Sequence, residues 1–332
     1  MDGKQLSRMV LDLLDEPVAS ELFADQRVIY QYLDAAAVGF ARETGYLKTD
    51  VDITTVADQQ IYDLPPDYMG LYMKNSRGRY FAKYYDGSNY SWPLKSSYEK
   101  IFKSNQTTAR TRPGRFCIRD DAVPVWDYYR LATEALEDLL TEGEDYIILE
   151  KLNRGLVIGT ADADGEANAG DCNLYDAGQL YTTTHRVYAR DIVHNVTDGS
   201  SGMVLHVPNA TNLVTALFGG STNQWTEGDA YVVVPTSHSR LMLDAPSENA
   251  GHTLTVPYRC MPAPVFSDYM QWRFPPRVCV AIAHEAAFMV TEQKMDYPAA
   301  NRHHAMFEDE LQQFKRERAM QRLQEGRYRK RY

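Results

Sequence analysis

Few side chains in this 332-residue chain stand at spacings that do chemistry. His284-Glu285 opens like a zinc-binding HExxH helix, in which two imidazoles one turn apart hold the metal, but Phe288 occupies the second imidazole's place. Asp162-Ala-Asp164-Gly-Glu166 has the carboxylate density of a calcium loop. It lacks the third acid before glycine and the distal bidentate Glu, so a β-turn is expected. Gly199-Ser-Ser-Gly202 lacks the spacing of a nucleophile elbow and reads as a hairpin tip. Cys117, Cys172, Cys260 and Cys279 are far apart, which predicts buried thiols in place of a disulfide framework or a zinc site. No phosphate-cradling glycine loop is present, and no carboxylate pair stands out among the 45 acidic residues. The expectation is a non-enzymatic protein with no metal and no cofactor.

Binding chemistry is better represented. Tyrosine is abundant, at 23 residues, and Trp126, Tyr128 and Tyr129 cluster; such rings anchor interfaces or stack on sugars and bases. Trp225, Tyr231 and Tyr175 are the stacking candidates of an alternative reading, a carbohydrate-recognising or fibre-attaching tail component. Asn195 and Asn209 head glycosylation sequons that mean little without a secretion signal, and none is read at Met1.

Charge is uneven. Residues 315–332 hold eight Lys or Arg against two Glu, a net +6 in a chain of −10, which leaves −16 on the remainder. Lys315, Arg316, Arg318, Arg322, Arg327, Tyr328, Arg329, Lys330, Arg331 and Tyr332 therefore form a basic, aromatic tail suited to an acidic partner. A break at Gly326 is expected to free the last residues from any helix.

The elements that must position this tail follow from periodicity. Val278, Ile282, Ala286, Met289 and Gln293 share one helix face, started by Pro275-Pro276, with His284, Glu285 and Glu292 facing away. Asp296-Tyr-Pro298 opens a second helix with Phe307, Leu311 and Phe314 on its stripe. At the N-terminus Leu6, Val10, Leu13 and Leu14 predict a short helix. Asp25 caps a longer one through Ile29, Leu33, Ala36, Ala37 and Phe40, which ends at Gly45. Between them lie strand candidates: Asp50–Ala57, a hairpin of Met69–Lys74 with Arg79–Tyr84, Arg115–Asp120, and a final pair, Ser239–Pro246 and His252–Tyr258. Residues 144–235 read as short strands bounded by turn residues, preceded by a helix over Asp127–Leu140. The fold class expected is α+β: a helical bundle core with a strand subdomain, formed by 1–126 and 237–332, and an inserted all-β module over 127–236.

FADQRVIYQYLDAAAVGFARETGYL, TTVADQQIYDLPPDYMGL, RPGRFCI, LTVPYRCMPAP and FPPRVCVAIAHEAAF, in that order, resemble the head-to-tail adaptor (connector) proteins of tailed bacteriophages. Asp58 departs from the glycine that the family often has before Tyr-Asp-Leu-Pro. The segments RDIVHNVTDGSSGMVLHV and LFGGSTNQWTEGDAYVVV resemble a β domain recurrent in phage virion proteins. The resemblance implies a structural virion protein made in the host cytoplasm, forming a homo-oligomeric ring, typically a dodecamer, between portal and tail. The portal protein and the tail tube or nozzle would be its partners, with fibres or spikes on the β module. DNA would pass without specific binding, which an acidic wall favours by repelling phosphates, and no membrane is involved.

Overall fold

A computed structural model describes residues 1–16, 26–75, 77–103, 109–120, 156–165, 167–168, 171–182, 185–236, 239–266, 271–272 and 274–329. The chain opens on a capping box: the Asp2 carboxylate accepts the Gln5 N–H at 2.7 Å, and the Gln5 side chain accepts the Asp2 N–H at 3.2 Å. Helix α1 (Gly3–Leu13) follows, then α2 (Gln26–Thr44), which buries Ile29, Leu33, Ala36, Ala37 and Phe40 and stops at Gly45, where φ is +54°. Next come β1 (Lys48–Thr54), β2 (Ile61–Asp63), β3 (Tyr68–Leu71), β4 (Lys83–Tyr85), β5 (Tyr90–Ser91) and β6 (Leu94–Lys95). A short helix α3 (Tyr98–Lys103) and strand β7 (Arg115–Asp120) precede β8 (Val157–Thr160), β9 (Ala167–Asn168), β10 (Asp171–Tyr175), β11 (Ile192–Asn195), β12 (Ser200–His206), β13 (Asn212–Phe218) and β14 (Ala230–Val234). The chain then runs through β15 (Ser239–Leu243), β16 (Thr253–Cys260), α4 (Pro276–Gln293) and α5 (Tyr297–Arg329).

This architecture corrects the expected fold class. The described chain is mostly β, in three sheets of five, seven and four strands, and its core is not a helical bundle. The physical reason lies in the short alternating runs, which bury enough apolar surface among themselves to need no helix beneath them. Ile53, Tyr62, Leu64, Leu71, Ala82, Tyr84, Phe116, Leu241, Leu243, Leu254 and Val256 form one buried cluster drawn from two sheets.

The chain divides into two units. The first comprises 1–47, 167–172 and 261–332, and the second 48–166 and 173–260. In the first, α4 packs against α5, α2 and α1. Small side chains at Ala281, Ala283, Ala286 and Ala287, all buried, let the neighbours approach α4 from several sides, so it is covered well beyond the single stripe that periodicity predicts.

In the second unit β16 is the central strand. It pairs with β1 along one side and with β4 and β3 in succession along the other. The expected hairpin of Met69–Lys74 with Arg79–Tyr84 is therefore replaced: among the described residues the two segments pair only at the Lys74–Tyr80 bridge, and β3 and β4 turn to β16 instead. The expected final pair also separates, because β15 lies between β2 and β7 in the four-stranded sheet. Asp58 takes φ +60°, a left-handed conformation that glycine adopts without cost and Asp tolerates. The seven-stranded sheet runs β8-β14-β11-β12-β13-β10-β9. The proposed helix over Asp127–Leu140, the Asp145–Leu152 strand and Asp25 lie outside the described residues.

Candidate functional site

The basic tail begins on α5. Pro276 begins α4 without the backbone donor that a first turn cannot use, and the chain returns through Met295, at φ +60°, into α5. Phe307, Leu311 and Phe314 are buried, as their spacing predicts. Phe314 lies 5.3 Å from Phe40 of α2 and 5.2 Å from Tyr46, centroid to centroid.

Charge takes over where this stripe ends. Lys315 Nζ pairs with Glu43 Oε2 at 2.9 Å and holds that carboxyl below its usual range. Arg318 donates to the Thr44 carbonyl at 3.1 Å and lies 5.3 Å over the Tyr46 ring. A guanidinium is well placed there, because the end of α2 exposes the negative pole of its dipole. On the other side Arg277, which the sequence reading passed over, forms an ion pair with Glu317, contacts Glu310 Oε1 at 3.2 Å and lies over Phe314. The Arg277 contact, with help from Gln313, pulls the Glu317 carboxyl down to about 2. Arg316 is exposed.

Of the ten tail residues, Lys315 and Arg318 thus clamp α5 to α2 within the chain. Arg322, Arg327, Tyr328 and Arg329 lie on the helix, which runs through Gly326 to Arg329. The expected break at Gly326 is corrected: one helical glycine costs only about 1 kcal/mol relative to Ala, and the run Arg318–Glu325 before it is rich in helix formers. Lys330, Arg331 and Tyr332 lie outside the described residues.

His284 and Glu285 do not face away as expected but lie between α4 and α5. The His284 and His303 Nδ1 atoms are 3.1 Å apart, and His304 Nδ1 lies 3.2 Å from Glu285 Oε2. Phe288 stacks near His304 with ring centroids 4.8 Å apart. Among the described residues no group of three or more ligating side chains could hold a metal ion.

Burial pushes the His284 and His303 imidazoles below their ordinary 6.5, and Arg302 nearby acts in the same direction; Asp296 opposes it at His303. The unfolded chain therefore takes up protons that the folded hairpin refuses. Stability is fully present above the unfolded value and falls as pH drops through 6.5 toward the lower folded values. Glu285, raised by burial, acts the other way, but only toward the carboxylate range. The expected result is a lower melting temperature at about pH 5.5 than at about pH 7.5, with the difference reduced in His303→Phe. Melting curves followed by circular dichroism at the two pH values measure it, and equal midpoints for the wild type would exclude it.

The sugar-stacking candidates are placed elsewhere than a binding surface. Trp225 and Tyr231 are 1% and 0% exposed, at the core of the seven-stranded sheet. Trp225 donates to Thr215 Oγ1 at 2.9 Å, and Tyr231 donates to Asp176 Oδ2 at 2.7 Å. Only Tyr175 is exposed, and Trp126, Tyr128 and Tyr129 lie outside the described residues. Asp162 accepts the Ala177 N–H and Asp164 the Glu227 N–H, so both aspartates of the calcium-like segment cap backbone. Asn195 is buried and donates to Asp229 and Gln224, which removes it as a glycan acceptor in the folded chain.

A second surface, absent from the sequence reading, is the hairpin of β4 and β5. Tyr90 and Trp92 are more than half exposed. Tyr85 and Tyr90 lie 4.7 Å apart, Phe81 and Trp92 5.5 Å, and Lys83 Nζ sits 4.2 Å over the Tyr90 ring. Its signals were in the chain: alternation over Phe81-Lys83-Tyr85, then the turn Asp86-Gly-Ser-Asn89, then Tyr90 and Trp92. Asp86 Oδ1 accepts the Ser88 and Asn89 N–H groups and fixes the turn.

No helix among the described residues is long and apolar enough to cross a membrane. No family model matches the chain, and no curated protein matches it.

Proposed function

We propose that this chain is a structural head-to-tail adaptor of a tailed-phage virion, assembling as a ring between the portal and the tail tube and continuing the DNA channel. The observation that carries the reading is α5. It has 33 residues, about 50 Å at ~1.5 Å per residue; its apolar stripe is spent by Phe314, yet it continues through a basic segment. Lys315 and Arg318 hold the helix to α2, and the basic residues from Arg322 onward are the segment assigned to an acidic groove on the portal. The five segments that resemble adaptors also adjoin one another within each unit. LTVPYRC, in β16, pairs with β1 and β3, which flank the Tyr-Asp-Leu-Pro run, while the α2 and α4 segments pack together. An excess of negative charge outside the tail suits passage of DNA without adhesion. The seven-stranded sheet is the part available to a fibre or spike. With Trp225 and Tyr231 buried, nothing specific favours a carbohydrate reading.

Truncation after Glu325 tests the docking. It spares Phe314, Lys315 and Arg318, so the monomer is expected to keep its fold. It removes four basic residues, each exposed pair contributing ~0.2 to 1 kcal/mol, and portal affinity is expected to fall at least about tenfold, with a shallower salt dependence. Titration of purified portal with both proteins at low and physiological salt measures this. Equal affinities would end the docking role, and the absence of any ring in electron micrographs of portal mixed with the full chain would end the adaptor reading.

A further inference from the structure

The outward face of the five-stranded sheet is divided by charge. Register sets Asp52 of β1, Thr255 of β16 and Lys83 of β4 in one row, and Thr54, Thr253, Tyr85 and Tyr90 in the next. Side chains alternate along a strand, so Asp50 joins Asp52 on this face while Ile53, Leu254, Val256, Ala82 and Tyr84 point to the buried cluster. The β1 flank thus carries two exposed carboxylates, Asp50 and Asp52, with Lys48 at its far end; the other carries Phe81, Tyr85, Tyr90 and Trp92 around Lys83. Lys74, Arg79 and Lys95 rim the aromatic flank, with Lys74 and Lys95 over Tyr80. Residues 73–95 hold five Lys or Arg against one acid, in a chain of net charge −10. That acid, Asp86, is engaged by Arg112 and by the turn. Among the described residues no strand pairs with the outer edge of β1 or of β5.

We propose that this face joins copies of the chain, the aromatic and lysine flank at β5 of one copy seating against the acidic β1 flank of the next. The inference deepens the ring reading and rests on it. Like flanks cannot meet, since lysine would oppose lysine and aspartate oppose aspartate. The contact is therefore between two different patches, and such a contact repeated by rotation gives a ring when the rotation brings the last copy back to the first. Tyr90 and Trp92 supply rigid apolar area of the kind that dominates interface energies, while the charges set register and exclude the wrong pairing.

Sedimentation of the full chain over a concentration series, alone and with purified portal, tests the proposal. Trp92→Ala is expected to weaken association about tenfold. Lys83→Glu and Asp52→Lys are each expected to weaken it several-fold, and an equimolar mixture of the two to recover multimers, because every contact in an alternating ring is again between opposite charges. Circular dichroism confirms the fold of each variant, and if Trp92→Ala does not fold, the charge-swap mixture decides alone. Rings that form equally well with Trp92→Ala and Lys83→Glu would overturn this surface while leaving the adaptor reading intact. A product limited to two copies would overturn the head-to-tail contact. A wild type that stays monomeric even with portal would overturn both.

Discussion

Phe40→Ala is expected to destabilise the helical unit by about 3 to 5 kcal/mol, the range for removing a fully buried phenylalanine. Phe40 is 0% exposed, and its ring lies 5.8 Å from Phe274, 6.3 Å from Phe307 and 5.3 Å from Phe314. Those partners come from the approach to α4 and from two turns of α5, so one truncation empties the junction of three segments. Edge-to-face arrangements of this kind add ~0.5 to 1.5 kcal/mol per pair beyond area burial, and none of them can be remade by a methyl group. The basic end of α5 is then held chiefly by Lys315 and Arg318, whose surface pairs are weak alone. Denaturant titration followed at 222 nm measures the loss, with Val280→Ala, at a 38% exposed position of α4, as the control. A loss under about 1 kcal/mol would mean that the ring cluster does not hold the unit together.

Gly202→Ala is expected to be nearly as damaging, by roughly 3 kcal/mol, although it adds one carbon to a position that is not in the core. A Cβ at Gly202 would fall onto the backbone carbonyl of Ala216 in the neighbouring strand, and backbone cannot swing aside as a side chain does. Gly202 pairs with Leu217 in the β12–β13 ladder, so relief requires the two strands to separate or slip. A slip of one residue would turn Val204 and Leu213, both buried, toward the wrong face. Gly199→Ala is the informative comparison: its φ is +74° but its Cβ would meet nothing within 4 Å, so only the conformational penalty of about 1 kcal/mol applies. Urea denaturation monitored by tryptophan fluorescence reports on Trp225 in the same sheet. Equal stability of Gly202→Ala and wild type would show that β12 and β13 do not approach this closely.

Much of this was written in local sequence. The Gly45 stop, the Pro276 entry and the Phe307-Leu311-Phe314 stripe each depend on residues within one or two turns, and they appear where periodicity and capping chemistry place them. So do most strands from β7 to β16, because alternation over five residues needs no partner to be visible. The Asp2 capping box is as local, but the sequence reading did not include it. What stayed hidden depended on partners distant in the chain. β3 and β4 leave their expected hairpin because each pairs with β16, far later in the chain. Whether helices or sheets form the core was decided by which apolar faces found enough surface to cover them, and two sheets covered each other. His284 and Glu285 read as solvent-facing on a single helix and became interface residues only when α5 laid His303 and His304 against them. Trp225 and Tyr231 have the composition of a sugar platform, but they sit inside because Thr215 and Asp176 satisfy their polar atoms there. The aromatic hairpin shows the same division. Its turn and alternation are local, but that Asp50 and Asp52 lie on the far side of the same face follows only from the register of β1 and β4 on β16, since hydrogen-bonded strands bring side chains within reach irrespective of their separation along the chain.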